Sequence, residues 1–397
     1  MMNRQRLAHW ATTHEDKVIL VIGILLAAVL RYLLRELETL DFQDFTGPWY
    51  DFIAENGGFA ALRYDFANYT PPYLYLLVIA TTLFSSFSKV FAIKLVSILF
   101  DFVCAYFVYK IVRLKYPIPS AVPTFAFLAL LFAPTVFLNS AFWGQADVIY
   151  TTALVATVYF LLVKRPIPAF IAFALAFAFK QQAIFLAPFL LILLLHGVVS
   201  WRLFLLVPLV YVLAIIPAWL AGRPLFELLL IYAQQADFYT ELSMNAANLY
   251  QWLPNDQYDI LFPAGLVLTA AVAFLFVAAV YKSRAKITAG IIIQLASLSV
   301  LIMPSFLPKM HDRYFFAADV LSILYAFYFP RYFFVPILVI LTSLFSYGPF
   351  LFGREIIPLT YLALVPLITI TILLHHLAQT IQTQTLADSP EQNDARK

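Results

Sequence analysis

Long apolar runs, repeated along the whole chain, restrict this sequence more than any other feature. About thirteen such runs occur, and most approach the roughly 20 residues that a helix needs to cross the hydrocarbon core of a bilayer. Hydrophobic residues make up 63% of the 397-residue chain and charged residues only 12%. Backbone groups in hydrocarbon must be satisfied internally, and the short alternating segments of a membrane barrel are absent. The expected fold is therefore an all-α, polytopic membrane helical bundle.

The segments between the apolar runs are too short for a soluble domain. The largest are Arg35 to Pro72 and Gly222 to Asp259, each with fewer than about 40 residues. We therefore expect residues 1–380 to form one membrane module and the polar residues 381–397 to form a disordered cytoplasmic tail. A net charge of +3 suggests no nucleic-acid partner, and the single cysteine, Cys104, excludes an internal disulfide or a thiolate metal site.

The positions of Lys and Arg predict which side of the membrane each loop faces. Basic residues before the first run place the N-terminus inside, so the acidic segment Arg35 to Pro72 is expected outside. The run Tyr73 to Phe87 is short and follows two prolines, and we expect it to insert only partly. The chain would then cross the membrane about twelve times. The outer face would also carry "NSAFWGQAD", "KQQ", Gly222 to Asp259 and "LPKMHDRYFF".

The first outer loop contains "LDFQDFTGPWYDF", in which aspartates alternate with aromatic residues. Gly47 and Pro48 break this stretch, so we expect two short juxtamembrane helices. They would place Asp44 or Asp41 near the interface, with Trp49 beside it. The alternative is a solvated acidic loop whose Trp49 belongs to the interfacial aromatic belt.

Two more outer segments place polar residues at helix ends. Gln145 and Asp147 lie at the mouth of the helix that begins near Val148, where Asp147 could be only a helix cap. Lys180, followed by Gln181, is flanked by apolar residues on both sides. A lysine in that position must extend to the interface or pair with an anion.

The last outer segment, "FLPKMHDRYFF", gathers Lys309, His311, Asp312 and Arg313 within five positions. Basic residues at an outer boundary oppose the expected topology, so an anionic ligand explains them better than orientation does. A salt-bridged structural turn is the alternative. In a phosphate site, Lys309, His311 and Arg313 would be donors, and Asp312 would orient one of them.

Together the outer segments offer carboxylates, cations and a border of aromatic residues that includes Tyr69. This combination suits the transfer of a sugar from a lipid phosphate. Aromatic faces pack against sugar C–H groups, a carboxylate can deprotonate the acceptor hydroxyl, and cations stabilise the phosphate leaving group.

At these residues the chain resembles the GT-C superfamily of integral-membrane glycosyltransferases, which use polyprenyl-phosphate sugars. It looks most like the dolichyl-phosphate-glucose and mannose-dependent enzymes and their prokaryotic relatives. The resemblance covers Asp41 to Phe316 and rests on "DFTGPW", "NYTPPYLY", "FWGQADVIYTTAL", "FKQQAIFLAP" and "MHDRYF".

The resemblance implies an inverting transfer with an aspartate in the first loop as general base. Asp44 fits best, and Asp41 stays possible because the gap from Asp44 to the tryptophan is shorter than in the eukaryotic relatives. His311 and Arg313 would contact the donor phosphate, with Lys180 and Gln181 near the entry of the lipid phosphate. The resemblance implies no metal or other cofactor.

The expected function is the transfer of a hexose from a polyprenyl-phosphate donor to a lipid-linked or surface glycan acceptor. The site would lie on the extracytoplasmic face of a prokaryotic plasma membrane, among membrane lipids, and Gly222 to Asp259 would cover it. The main alternative is a secondary transporter or flippase of a lipid-linked or anionic substrate, in which buried ionisable residues line the path. We find no internal repeat that would favour a transporter.

Overall fold

The structure, a computed structural model, describes residues 15–236 and 239–387 and is built almost entirely of helices. Each predicted apolar run coincides with a helix, because only internal hydrogen bonding satisfies the backbone of such a run in a membrane. In chain order the helices are α1 (Glu15–Leu34), α2 (Gly47–Glu55), α3 (Pro71–Leu83), α4 (Lys89–Lys115), α5 (Val122–Leu131), α6 (Pro134–Phe137), α7 (Asp147–Leu162), α8 (Pro166–Phe179), α9 (Ala187–Leu195), α10 (Leu206–Leu220), α11 (Leu225–Ala236), α12 (Tyr258–Ser283), α13 (Ala289–Phe306), α14 (Phe316–Tyr328), α15 (Phe334–Ser346), α16 (Gly348–Phe352), α17 (Leu359–Leu362) and α18 (Leu364–Ala387).

Short helical turns and two short strands connect these helices. The strands β1 (Ser243–Met244) and β2 (Met310–His311) pair in parallel, with Ser243 opposite Met310 and Met244 opposite His311. This pairing joins the second outer loop to the segment that carries His311. The π-helical turns are Phe42–Thr46 and Leu138–Trp143, and the 3-10 turns are Gly58–Arg63, Gln181–Leu186, Trp201–Leu205, Leu249–Trp252, Asn255–Gln257, Asp312–Phe315 and Pro330–Tyr332.

Seven segments of the described chain are long and apolar enough to cross a membrane. A bent pair, Val122–Leu131 and Pro134–Trp143, meets at 46° and raises the number to eight if it counts as one span. The described chain also has four shorter apolar helices of 10–17 residues, Pro71–Leu83, Asp147–Leu162, Pro166–Phe179 and Gln181–Leu195. The number of twelve crossings stays a prediction. The seven long segments are Lys17–Leu34, Lys89–Lys115, Trp201–Leu220, Asn255–Ser283, Ala289–Phe306, Pro330–Phe352 and Leu359–Leu386.

Helix α3 begins and ends beside the same loop. Just before it, the Thr70 hydroxyl donates a hydrogen bond of 3.0 Å to the carbonyl of Phe179. Just after it, Ser88 caps α4 and donates a hydrogen bond of 2.6 Å to Glu36 in the first outer loop. With 13 residues, α3 is also shorter than the roughly 20 residues of a full span. The partial insertion of Tyr73 to Phe87 stays a prediction, which the short length of α3 and the contact of its end with the first outer loop support.

The first outer loop folds into the two short juxtamembrane elements that the sequence predicts. The π-helical turn Phe42–Thr46 leads directly into α2. The Gly47 N–H donates to the carbonyl of Phe42, and a Cβ on Gly47 would lie only 2.7 Å from that oxygen. A residue with a side chain at position 47 would therefore force the two elements apart.

A buried ion pair holds the first helix in the bundle, and the sequence patterns did not reveal it. Arg31 on α1 and Asp101 on α4 are 1% and 0% exposed, and Arg31 Nε donates to Asp101 Oδ2 at 2.7 Å. The Ser140 hydroxyl donates to the same oxygen at 2.5 Å. Because charges in a membrane are costly unless paired, this contact fixes α1 and α4 relative to each other.

Helix ends alternate between two sides of the bundle. Asp147 begins α7, which ends just before Lys164 and Arg165, and α8 then returns to Phe179, next to Lys180. The outer segments of the sequence analysis consequently meet at one end. At the C-terminus, α18 continues to Ala387, so the tail predicted from residue 381 cannot start before residue 388. Residues 388–397 lie outside the described part of the chain.

Candidate functional site

A cavity of about 260 Å³ opens where the outer segments meet. The first outer loop, the start of α7, the end of α8, the second outer loop and the turn after α13 all contribute side chains to it. Nine of the predicted site residues line the cavity: Asp41, Trp49, Tyr69, Gln145, Lys180, Gln181, His311, Asp312 and Arg313.

Asp41 supplies the first-loop carboxylate of the cavity. Trp143 Nε1 donates a hydrogen bond of 2.7 Å to Asp41 Oδ2, and Gln145 Nε2 donates one of 2.5 Å to the same oxygen. The Thr39 hydroxyl bonds the Trp143 carbonyl at 3.2 Å, which ties the two loops together again. Two donors on one oxygen fix the direction in which the carboxylate points.

The two candidate bases, Asp41 and Asp44, differ in their position relative to the cavity. Asp44 is exposed and does not line the cavity, whereas the side chain of Asp41 is 16% exposed and does. Asp44 lies three positions after Asp41, within the π-helical turn Phe42–Thr46. Residue spacing alone does not reveal this, because the phase of a turn depends on where it begins.

Arg313 connects the carboxylates of two segments. Its Nη1 atom lies 3.8 Å from Asp41 Oδ2, and its Nε atom lies 3.8 Å from Asp147 Oδ2. Both distances exceed a hydrogen bond, and within the described residues the buried Nε atom has no hydrogen-bond partner. The guanidinium therefore retains the capacity to donate to a ligand that enters the cavity.

Asp147 lies behind the cavity wall and holds the cations that face the cavity. It is fully buried, forms an ion pair with Lys180, and accepts a hydrogen bond of 3.0 Å from Asn139. It does not line the cavity itself. Asp147 is thus a positioning residue for Lys180 and Arg313 rather than a simple helix cap.

His311 contributes a neutral ring to the cavity. Its ring packs edge-on against Tyr239 and Tyr314, with centroids 5.0 and 5.1 Å apart. Burial, with the positive charges of Arg313 and Lys180, holds the pKa of His311 well below its ordinary value. At neutral pH the imidazole can therefore donate one N–H without carrying a charge.

Asp312 is almost fully buried at the cavity wall. Its Oδ1 atom accepts a hydrogen bond of 2.8 Å from the backbone N–H of Arg313. Burial raises the pKa of Asp312 to about 7, against the opposing effect of Arg313. The carboxyl can therefore be protonated near neutral pH, unlike a solvated aspartate.

Aromatic rings form one wall of the cavity. Trp49 and Tyr69 lie with centroids 5.5 Å apart, and Tyr69 contacts Tyr73 at 4.8 Å. Phe350 also lines the cavity and stacks on the buried Trp143, which does not line it, at 5.1 Å with an interplanar angle of 20°. Such rings offer the apolar faces against which sugar C–H groups pack.

Lys309 does not reach the cavity, although the sequence places it beside His311. Its backbone adopts a φ of 61°, in the left-handed region. Its Nζ atom lies over the rings of Phe262 and Tyr258, at 4.7 and 5.2 Å. Lys309 therefore does not share the cavity with His311, Asp312 and Arg313, although the sequence analysis placed all four in one phosphate site.

The second outer loop lies over the site, as the sequence analysis expected, but its individual contacts were not foreseen. Residues of this loop and its flanking helix reach the cavity, as do two aromatic residues elsewhere. In the sequence, the aromatic and polar side chains of Gly222 to Asp259 are the only indication that residues of this loop line the site. They are Tyr232, Gln235, Tyr239, Met244 and Asn245, with Tyr314 and Phe350.

The cavity combines the oriented carboxylate of Asp41, the cations Lys180 and Arg313, and the faces of aromatic rings. The Nε atom of Arg313 has no hydrogen-bond partner within the described residues. Within the described residues, no group of three or more His, Cys, Asp and Glu side chains is placed to hold a metal ion. A carboxylate beside cations can accept a proton on one side of a reacting centre and stabilise an anion on the other.

Comparison with known proteins identifies a shared fold. No family model and no curated protein sequence matches the chain. The crystal structure of ArnT from Cupriavidus metallidurans in the apo state matches with a TM-score of 0.50 and 15% identity, covering 90% of this chain and 76% of that one. A second ArnT structure, bound to undecaprenyl phosphate, gives a TM-score of 0.49 and 15% identity, covering 90% and 77%. The predicted fold class, a polytopic all-α membrane bundle, is confirmed.

Proposed function

We propose that this membrane protein, which has the GT-C fold, transfers a hexose from a polyprenyl-phosphate donor to a lipid-linked or surface glycan acceptor. One observation carries the proposal: Asp41, Arg313 and Lys180 share one cavity with a wall of aromatic rings. The reaction needs a base, an anion-stabilising group and a surface for a sugar, and this cavity supplies all three.

Asp41 is the general base in this proposal. Its carboxylate takes the proton of the acceptor hydroxyl as that oxygen attacks the anomeric carbon of the donor sugar. The hydrogen bonds from Trp143 and Gln145 orient the carboxylate toward the acceptor. Attack from the side opposite the phosphate inverts the configuration of the anomeric carbon.

Arg313 and Lys180 bind the donor phosphate. As the bond between the anomeric carbon and the phosphate oxygen breaks, negative charge grows on the phosphate, and the two cations stabilise it. The His311 ring adds a neutral N–H donor. Arg313 can redirect its guanidinium from Asp41 and Asp147 to a phosphate oxygen, because neither carboxylate is within hydrogen-bonding distance of it.

The rings of Trp49 and Tyr69 hold the sugar, with glucose and mannose as the first donors to test. The polyprenyl tail remains in the bilayer, while the acceptor arrives from the aqueous side. Basic residues mark the opposite helix ends, which favours an extracytoplasmic site in the plasma membrane of a prokaryote.

The direct test uses the purified full-length protein in lipid nanodiscs with polyprenyl-phosphate glucose or polyprenyl-phosphate mannose. We expect hexose transfer to glycolipids extracted from the host membrane and release of polyprenyl phosphate, both lost in an Asp41→Asn variant. Deletion of the gene should remove a hexose from a surface glycan, as measured by mass spectrometry. Failure to turn over any polyprenyl-phosphate hexose would overturn the proposal.

A further inference from the structure

A second cavity of about 280 Å³ lies beside the first. Asn68 and Gln235 line both cavities, and Gln235 Nε2 donates a hydrogen bond of 2.5 Å to the carbonyl of Asn68. These two residues therefore form a shared wall. The second cavity is otherwise lined by Asp65, Phe66 and Ala67 of the first outer loop, by Arg223 just before α11, and by Ile231 and Gln234 on α11.

Arg223 is the distinctive residue of the second cavity. Its side chain is only 2% exposed, and it forms an ion pair with Asp65, whose side chain is 60% exposed. Its buried Nε atom has no hydrogen-bond partner within the described residues, and the Glu227 carboxylate lies 4.0 Å away. A buried guanidinium N–H without a partner is costly, so an oxygen of a ligand entering this cavity would satisfy it.

The charges of the second cavity indicate which ligand suits it. Among the described residues that line the cavity, the carboxylate of Asp65 balances the guanidinium of Arg223. The Glu227 carboxylate, which does not line the cavity, adds a second negative charge 4.0 Å from Arg223, so the site does not favour an anion. Carboxylate, guanidinium and the side-chain amides of Asn68, Gln234 and Gln235 offer acceptors and donors side by side. Neighbouring hydroxyl groups of a sugar match such a set, since each hydroxyl both donates and accepts.

We infer that the second cavity binds an uncharged saccharide unit of the acceptor. This inference rests on the proposed function and adds to it the class of acceptor, a neutral glycan chain. A sugar held by Arg223 and Asp65 places the next unit of the chain at the wall of Asn68 and Gln235. The hydroxyl to be glycosylated then lies in the first cavity, which contains Asp41.

The test measures saccharide binding in the absence of any donor. Saturation-transfer NMR uses the full-length protein in nanodiscs with the methyl glycosides of glucose, galactose and mannose as probes. We expect at least one glycoside to bind, and Asp65→Asn to weaken that binding about ten-fold or more by removing a charged hydrogen-bond acceptor. Gln234→Trp, a change at an exposed position of α11 that lines only the second cavity, should fill the cavity and block binding.

The matched control is Asp51→Asn. Asp51 also lies in the first outer loop, is 51% exposed and pairs with Lys89, but it lines neither cavity. This variant should bind the glycoside as the unmodified protein does. If the Gln234→Trp variant keeps the size-exclusion elution profile of the unmodified protein but does not bind the glycoside, the inference is supported. This holds even if Asp65→Asn fails to fold.

Three results would overturn the inference: no glycoside binds, binding is unchanged in both cavity variants, or inorganic phosphate displaces the glycoside. Failure of the proposed function is distinguishable, because it would abolish hexose transfer from the donor while leaving glycoside binding intact. If transfer is observed, Gln234→Trp should raise the acceptor KM about ten-fold and leave the donor KM unchanged.

Discussion

The guanidinium of Arg313 lies 3.8 Å from the carboxylate of Asp41, a separation that attracts the two groups without joining them in a hydrogen bond. Asp147 stands at the same distance on the other side, so opposing carboxylates hold the guanidinium. Because neither bond is made, binding of a donor phosphate would not require a strong internal contact to break. In the proposed reaction, the base and the phosphate-binding group would thus lie next to each other before substrate arrives.

Substitutions of Asp41 and Asp44, the two candidate bases, should differ sharply in their effect on activity. Asp41→Asn should lower kcat about 100- to 10,000-fold, because an amide cannot accept the proton of the acceptor hydroxyl. Asp44→Asn, the matched control on an exposed side chain, should change kcat less than about two-fold. Measuring hexose transfer under saturating donor tests both. The opposite ranking would return the base to Asp44.

Arg313→Lys should impair use of the donor more than use of the acceptor. Lysine keeps the positive charge but lacks the fork of N–H groups that binds a phosphate in two places. We expect the kcat/KM for the donor to fall about ten- to 100-fold, with little change in the acceptor KM. Arg63→Lys, a change at an exposed arginine of the first outer loop that does not line the cavity, should have no effect. Equal donor kinetics in both variants would exclude a phosphate contact by Arg313.

Asp147→Asn should destabilise the protein as well as inactivate it. Removal of this buried charge leaves Lys180 and Arg313 without their shared partner, a change that costs about 3–5 kcal/mol in buried ion pairs. Asp51→Asn breaks the exposed pair with Lys89 and should cost less than about 1 kcal/mol. Thermal unfolding in detergent compares the two variants. Similar unfolding midpoints in the two variants would show that the Asp147 carboxylate does not stabilise the protein through Lys180 and Arg313.

Cysteine labelling should place the cavity outside the cytoplasm. In a background in which the buried Cys104 is replaced by alanine, Asp44→Cys should react with a membrane-impermeant maleimide in intact cells. Lys164→Cys, exposed beyond the opposite end of α7, should react only after permeabilisation. The reverse pattern would put the active site in the cytoplasm and contradict the charge-based topology.

The helices and the meeting of the outer segments could be predicted from the sequence, because length and apolar content decide which segments enter a bilayer. The sides of the loops were assigned from Lys and Arg alone, and this assignment stays a prediction. Residues such as Gln145 and Lys180 were identifiable since a polar side chain at the end of an apolar run needs a partner. Their partners, Asp41 and Asp147, were candidates that only the structure could pair.

Three features could not be predicted, each for a physical reason. Asp41 and Asp44 differ by their phase on a π-helical turn, which the residue types do not specify. Lys309 turns away because its backbone is left-handed, a conformation that lysine rarely adopts and that no pattern indicates. Arg31 and Asp101 are 70 positions apart in the sequence and lie on different helices. The sequence position of a single charge within an apolar run does not identify its partner.

The buried carboxyl of Asp312 should make stability fall as pH rises. In the folded protein burial raises its pKa to about 7, whereas in the unfolded chain the carboxyl has its ordinary pKa near 3.8. Between about pH 4 and pH 7 the folded state therefore binds more protons than the unfolded state, so the free energy of unfolding decreases with rising pH. Above about pH 7 the carboxyl is ionised in both states, and burying its charge lowers the free energy of unfolding by at most about 4 kcal/mol.

Asp312→Asn should remove this dependence, because the amide is neutral at every pH and has nearly the same shape. Thermal midpoints of the unmodified protein should decline between about pH 5 and pH 7, while those of the variant stay level over the same range. The variant should be the more stable of the two above about pH 7, since it buries no charge there. A decline of equal slope in both proteins would assign the pH dependence to another group and leave Asp312 ionised in the folded state, held by the nearby charge of Arg313.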